Sequence, residues 1–292
     1  MRARRSAFGM VLMHNRVMKT VFYGCVSGVL LNVAVLTGAQ AAAPIPACAG
    51  SVEAVNIQVV RVEKNGAVIF DDGRAVHPEG ILLPAGAADH APDVLVSQAL
   101  GVMTNLVHDK LVTITANPPK EDRYGRIRAQ VFLPDNAADP WLQVALLKRG
   151  LARVSIAPDR RECAAQLLAA EAPARSAKLG LWAYPAYAVR NPQNVARDAG
   201  TFQVVEGKVV SANLRDGRAY LDFGTDWNND LTVTISPDDM ENFRQASVDP
   251  RGYAGKTVRV RGWVEGHNGA EIAVAVPESI EVIPDLPLRP SQ

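Results

Sequence analysis

Residues 120–133, with the sequence Lys-Glu-Asp-Arg-Tyr-Gly-Arg-Ile-Arg-Ala-Gln-Val-Phe-Leu, join a polar turn to an alternating segment. Asp122 to Gly125 are typical of a tight turn, because glycine tolerates backbone angles that other residues avoid. From Ile127 to Leu133, apolar and polar residues alternate, which predicts a half-buried β-strand. Arg126 falls at the mouth of this strand, where a guanidinium could bind a phosphate through two parallel hydrogen bonds. An exposed arginine beside a hairpin turn explains the same spacing equally well.

Three segments in this order resemble motifs of the staphylococcal nuclease (thermonuclease) family. The stretch from Asp122 to Val131 resembles the family's D-x-Y-G-R-x-x-A motif, and residues 146–154 resemble its L-V-x-x-G-L-A-x-V segment. Residues 168–182, which end in Gly-Leu-Trp, are similar to its final helix and closing G-[IL]-W. The resemblance covers roughly residues 50–185 and implies the family's architecture, an OB-type β-barrel with helices.

Residues 1–41 have the pattern of a secretory signal peptide. A basic start precedes an apolar run over residues 21–36, and Ala39-Gln-Ala41 supplies a small-x-small cleavage site. A retained membrane anchor is the alternative, but Ser27 and Asn32 interrupt an apolar run that is short for a membrane span. We therefore expect a periplasmic or secreted protein that is soluble after cleavage and not an integral membrane protein.

Cleavage of this segment would change the net charge of the chain. It removes five of the 31 Lys and Arg residues and none of the 30 Asp and Glu residues, which leaves a net charge of −4. A strong non-specific nucleic-acid binder needs a basic surface to displace counterions from phosphates. The sequence therefore makes nucleic acid a weak candidate partner and leaves open an unknown protein or envelope partner.

Two cysteines, Cys48 and Cys163, remain after cleavage. In an oxidising compartment a pair of cysteines is more often bridged than free, so we predict a disulfide between them. Two free, buried thiols are the alternative. No C-x-x-C motif or His/Cys cluster indicates zinc, and no metal ligands are predicted.

The strand and helix patterns predict a mainly β protein with helices (α+β), in which a nuclease-like OB-type barrel precedes a second OB-fold barrel. The first barrel is followed by a helix over about residues 158–178, which Pro173 should kink or split. In the second, three strand patterns, a short helix pattern and two more strand patterns occur in the order of an OB fold. The expected divisions are a signal peptide at 1–41, a nuclease-like domain at 42–189, a linker at 190–200, an OB-fold domain at 201–284 and a tail at 285–292.

The resemblance also implies a set of catalytic positions. In the family, carboxylates from a D-G-D-T turn and an R-L-x-x-I-D-x-P-E motif bind Ca²⁺, and the final glutamate of the second motif is usually described as the general base. Two arginines stabilise charge on the phosphoryl oxygens. Aligning residues 76–85 with the second motif places His77 at the first arginine, Leu82 at the aspartate and Ala85 at the glutamate. The D-G-D-T turn corresponds to residues 63–67, which lack both aspartates. Arg126 is the one catalytic position that matches.

A rearranged active site is the alternative to a degenerate one. His77 and Glu79 lie close in sequence, and so do Asp89, His90 and Asp93; histidine can act as a base and carboxylates can hold a metal. Solvated loop residues explain both groups more simply. No cofactor is expected, and Ca²⁺ is expected only if the protein is a nuclease.

The second barrel carries a candidate ligand face. Aromatic and arginine side chains could stack on bases and bind phosphates there, but core or inter-domain contacts explain them as well. Residues 199–292 contain nine Lys and Arg against fourteen Asp and Glu, which disfavours a nucleic-acid groove. The candidate binding residues are Tyr124 in the first barrel and Tyr220, Phe223, Trp227, Arg259, Arg261 and Trp263 in the second.

The sequence supports three functional hypotheses. The first is an exported, non-catalytic binding or scaffolding module built on a degenerate nuclease fold. The second is an active nuclease or phosphodiesterase with a rearranged metal site, and the third is an anchored structural protein. A cleft near Arg126 that is lined by Leu82, Leu83 and Ala85 would favour the first hypothesis, whereas three or more convergent carboxylates would favour the second.

Overall fold

The structure is a computed structural model and describes residues 44–226, 230–266 and 269–284. The predicted signal peptide, the predicted tail and Trp227 therefore lie outside the described residues. The first half of the described chain contains the strands β1 (Ser51–Val62), β2 (Val68–Phe70), β3 (Ala75–Pro78), β4 (Ile81–Leu82), β5 (Leu111–Ala116), β6 (Ile127–Phe132) and β7 (Arg153–Val154), and the helices α1 (Val94–Val107), α2 (Leu142–Lys148) and α3 (Ala164–Ser176).

A closed barrel forms from five of these strands in the order β1-β2-β3-β6-β5. The long strand β1 pairs with β5 through its first part and with β2 through its last part, so it belongs to both sides of the barrel. Strands β3 and β6 are parallel, with His77 opposite Arg128. This pairing brings β3 beside the first half of β6, and the polar turn at 122–126 directly precedes β6. The predicted OB-type barrel is confirmed.

The predicted disulfide between Cys48 and Cys163 is confirmed, with the two Cα atoms 5.1 Å apart. It ties the segment before β1 to the residue that precedes α3. Helix α3 begins at Ala164, later than predicted, because side chains hold the preceding residues in turns: Arg128 binds Asp159, and Arg160 donates to the Pro118 carbonyl at 2.9 Å. Pro173 does not split the helix, since it lies in the last turn, where few hydrogen bonds remain to be lost.

The second half of the chain repeats the same strand order. Its elements are β8 (Phe202–Lys208), β9 (Ser211–Arg215), β10 (Arg218–Asp222), β11 (Leu231–Ile235), the helix α4 (Met240–Gln245), β12 (Thr257–Glu265), β13 (Ala270–Ala273) and β14 (Ile280–Val282).

Residues 209 and 210 close this second sheet. Strand β8 pairs with β12 at one end of the sheet, and β9 pairs with β10 at the other end. Between them, Val209 N–H donates to the Lys256 carbonyl and Val210 N–H donates to the Asp222 carbonyl. Strands β8 and β9 are therefore the two halves of one bent first strand. Together they correspond to β1 of the first barrel, which also pairs with a different strand at each end. The parallel pair of β11 and β13 corresponds to that of β3 and β6.

Each barrel has its own apolar core, and the described residues belong to one compact unit. A third apolar cluster packs Leu95, Leu181, Trp182 and Tyr187 of the first half against Val204 of the second. None of the helices in the described part of the chain combines the length and the hydropathy needed to cross a membrane.

Candidate functional site

The polar turn before β6 is organised by one carboxylate. Asp122 accepts hydrogen bonds from the backbone N–H groups of Tyr124 and Arg126, at 2.8 and 3.0 Å. The same carboxylate binds the guanidinium of Arg126, with Nε at 2.8 Å and Nη2 at 2.7 Å from Oδ2. Burial alone would raise the pKa of Asp122, but the hydrogen bonds from Arg126 and Tyr124 outweigh it and the pKa lies below its usual value. Arg126 is therefore oriented, and part of its donor capacity is already used.

Tyr124 lies on the outer side of this turn and is 67% exposed. The guanidinium carbons of Arg123 and Arg126 lie 5.0 and 5.1 Å from the centre of its ring. This spacing is that of cation–π contacts. The structure thus places Tyr124 against the matching catalytic arginine, in contact with solvent.

His77, on β3, occupies the position that the alignment assigns to the family's first arginine. Its side chain is half-buried, and its Nδ1 atom is buried without a hydrogen-bond partner among the described residues. Burial lowers the pKa of His77, and the positive charge of Arg126 lowers it further. The imidazole is therefore neutral near pH 7 and does not replace the charge of an arginine.

A pocket of about 330 Å³ lies beside His77, and we call it the apolar pocket. Its lining includes Leu82 and Ala85, the positions assigned to the family's aspartate and glutamate, together with Leu83. The turn that corresponds to D-G-D-T forms the opposite wall, where a Cβ on Gly66 would lie 2.5 Å from Cδ1 of Leu83. The remaining lining residues are Lys64, Asn65, His77, Pro78, Ile81, Pro84, Val96 and Leu100.

The donors of this pocket do not fit a Ca²⁺ ion, which takes six to eight oxygen ligands. Among the lining residues that the structure describes there is no aspartate or glutamate. The amide oxygen of Asn65 is one side-chain oxygen in the lining, and it already accepts a hydrogen bond from the Ala67 N–H at 2.9 Å. Across residues 44–226, 230–266 and 269–284, no group of three His, Cys, Asp or Glu side chains is placed to hold a metal ion.

Glu79 and Asp89, two carboxylates considered for a rearranged site, are buried and bound to arginines. Glu79 binds Arg128 at 2.7 Å, and the other side of that guanidinium binds Asp159 at 2.6 Å. Asp89 accepts hydrogen bonds from Arg153 at 2.8 Å and from the Tyr187 hydroxyl at 2.7 Å. The expectation of solvated loop residues is therefore wrong for Glu79 and Asp89. It holds for His90 and Asp93, which are exposed.

The candidate ligand face on the second barrel does not form as one surface. Phe223 is 3% exposed and belongs to the barrel core, while Tyr220 is half-buried on β10. Arg259 is half-buried and binds Glu206 at 2.7 Å. Trp263 is 53% exposed and packs edge-on against Phe202, with ring centres 5.9 Å apart. Of the described candidates on the second barrel, Trp263 is the one that remains largely accessible.

Arg261 lies between the two halves of the chain and is 2% exposed. It donates to Glu171 of α3 at 3.1 Å and to Glu281 of β14 at 2.6 Å. Glu171 has no exposed surface, accepts the Val154 N–H at 2.6 Å and also binds Arg175. The prediction that Arg261 faces a ligand is wrong, because α3 of the first half covers this part of β12. The alternative of an inter-domain contact describes it correctly.

Arg153 makes a second buried link across the same boundary. Its guanidinium binds Asp89 and donates to the Phe202 carbonyl, and it lies 4.6 Å from the centre of the Tyr187 ring. Sequence reasoning missed this residue. The available signal was an arginine inside a short apolar strand, between Ala152 and Val154, where a charge needs a buried partner.

Residues 94–184 match the family model described as staphylococcal nuclease homologue. The chain contains a staphylococcal nuclease-like domain. The matched range holds the turn with Arg126 and the helices α1, α2 and α3, whereas residues 63–85 precede it. A search among curated proteins found no match.

Proposed function

We propose that the nuclease-like barrel is a non-catalytic binding module of an exported protein. One observation carries the proposal: the apolar pocket beside His77 is lined by Leu82 and Ala85 at the positions where the resemblance implies an aspartate and a glutamate. Leucine and alanine can neither ligate a metal ion nor accept a proton. The remaining arginine can hold an anion, but the described lining of the apolar pocket offers no carboxylate to bind a metal ion or to accept a proton from water.

The state of Arg126 is in keeping with a binding role. The family route to phosphodiester hydrolysis uses two arginines, and here His77 stands at one of the two positions as a neutral imidazole. Arg126 is held by Asp122 through two nitrogen atoms. The remaining charge near the pocket is therefore suited to orienting a ligand more than to stabilising a phosphoryl transition state.

Export to the periplasm or beyond is part of the same proposal. The N-terminal pattern of a basic start, an apolar run and a small-x-small site supports it. The Cys48–Cys163 disulfide also supports it, since disulfides persist in oxidising compartments and are rare in reducing ones.

An active nuclease with a rearranged site is the competing function. Its metal ligands would have to come from carboxylates such as Glu79, Asp89 and Asp93, and Glu79 and Asp89 would first have to leave the arginines that bind them, of which Arg153 is buried. Releasing a buried arginine from its partner costs several kcal/mol, on the order of 3–5. This cost favours the binding module.

A nuclease assay on the purified mature chain tests the proposal. Single-stranded DNA, duplex DNA and RNA would each be incubated with Ca²⁺, Mg²⁺ or Mn²⁺, and with chelator as control. We expect no cleavage above that of the Arg126→Ala variant prepared in the same way. Metal-dependent cleavage that disappears in Arg126→Ala would overturn the proposal.

A further inference from the structure

We propose that the apolar pocket binds a small amphiphile with an unbranched alkyl body and a single carboxylate head. This inference rests on the proposed function, because it names the class of ligand for the same pocket. Its volume of about 330 Å³ lies within the range of small-molecule sites, roughly 300–1,000 Å³.

The walls of the pocket suit an alkyl chain. Leu82 and Leu83 are only half-buried, and Val96 and Leu100 of α1 also line the pocket. Apolar side chains left partly in water at a concave site gain free energy when an apolar ligand covers them. Each added methylene should therefore strengthen binding about three- to fourfold until the pocket is full.

The polar rim of the pocket suits one negative charge. Lys64 lines the pocket and is exposed, and no ion pair involves it within the described part of the chain. The lining residues described include no acidic side chain, so nothing at the rim repels a carboxylate. His77 also lines the pocket, and its imidazole carries no negative charge that would repel a carboxylate.

The number of free cations favours a carboxylate over a phosphate. A phosphate group is bound in proteins by several charged or backbone donors, often including a bidentate arginine. Arg126 is bound to Asp122 and is not among the lining residues, whereas Lys64 is the cationic side chain in the described lining. One ammonium group matches a head with a single charge.

Calorimetric titration of the mature chain with sodium octanoate, below its micelle concentration, tests the inference. We expect saturable binding, with decanoate about tenfold tighter than octanoate. The neutral matched ligand is 1-octanol. Lys64→Gln should weaken octanoate binding about three- to fivefold and leave octanol binding unchanged. The matched control Lys208→Gln, at an exposed position on β8, should change neither.

Two variants locate the binding. Leu82→Asp should weaken octanoate binding at least tenfold, because it places a like charge in the wall. Val96→Phe should also weaken it, because the larger side chain fills the pocket without adding charge. It serves as the test if Leu82→Asp does not fold, as judged by circular dichroism.

The outcomes separate this inference from the proposed function. Absence of octanoate binding at millimolar concentration, or binding that both Leu82→Asp and Val96→Phe leave intact, would overturn the inference. If the same preparation also lacks nuclease activity, the proposed function still stands. Nuclease activity together with octanoate binding at this pocket would overturn the proposed function alone.

Discussion

The two barrels of this chain have the same strand order and differ in the segment that comes after the third strand. In the first barrel, β3 leads into residues 79–93, which form one wall of the apolar pocket and carry Asp89 into the boundary between the barrels. In the second, β11 is followed at once by Ser236, whose hydroxyl binds Asp239 before α4 begins. Both barrels have the apolar alternation that forms the barrel core. The polar residues that could perform chemistry vary independently of this alternation.

The largest expected effect comes from removing a buried ion pair that joins the two barrels. Arg261→Ala leaves Glu171 buried without one of its main cationic partners, and breaking a buried ion pair costs on the order of 3–5 kcal/mol. We expect the free energy of unfolding, measured by urea denaturation, to fall by about that amount.

The matched control is Arg259→Ala, which removes a half-buried arginine two residues away on the same strand. Its effect should stay near or below about 1 kcal/mol, because its ion pairs are partly exposed. Equal effects of the two variants would show that Arg261 does not join the barrels in the way the structure indicates.

The second test concerns the disulfide, which braces only the first barrel. Cys48 and Cys163 are 115 residues apart in sequence, so the bridge closes a long loop in the unfolded chain. Replacing both with serine should lower the free energy of unfolding by about 2–5 kcal/mol. Urea denaturation followed by tryptophan fluorescence, to which Trp141 and Trp182 of the first half contribute, would measure the loss, and an unchanged midpoint under oxidising conditions would contradict the expectation.

The third test asks how tightly the wall of the pocket is packed. Gly66→Ala places a Cβ 2.5 Å from Leu83 and also strains a backbone with φ of +81°. Gly73→Ala is the matched control, since φ there is +86° and nothing lies within 4 Å of the added atom. Both variants should lose about 1–2 kcal/mol of stability from backbone strain. Gly66→Ala should lose more than Gly73→Ala, because its Cβ also meets Leu83. Equal thermal unfolding midpoints for the two variants would contradict the close contact with Leu83.

The features that could be predicted from the sequence are local. Strand alternation and turn residues depend on neighbours in the chain, and so does the turn in which Asp122 holds Arg126. The alternation in β12 correctly places Val258 and Val260 in the core and Arg259 on the opposite face. It cannot show that part of this opposite face is then covered by another element.

The features that could not be predicted depend on contacts between distant segments. Arg261 meets Glu171 across 90 residues, and Arg153 meets Asp89 across 64. No periodicity links such positions, so a buried arginine in a strand looks the same as a ligand-binding one. Glu79 was misjudged for the same reason, since its partner Arg128 is 49 residues away.

The smallest expected effect concerns His77 and pH. Its pKa in the folded chain lies below the ordinary value because of burial and of the charge on Arg126, and Arg128 acts in the same direction against Glu79 and Asp122. The unfolded chain therefore binds a proton more readily than the folded chain. This contribution to stability is fully present above the unfolded pKa of about 6.5 and is lost as the pH falls below it.

His77→Gln should therefore have a flatter pH dependence than the wild type between about pH 7 and pH 5. Urea denaturation at several pH values would measure the free energies of unfolding, and the wild type should lose more stability over this interval. Parallel curves would mean that the pKa of His77 is the same in the folded and the unfolded chain, which would contradict the expected effect of burial and Arg126. A flatter curve for the variant would instead show a neutral imidazole beside Arg126. The first barrel would then have a single charged arginine at the two positions where the family resemblance implies arginines.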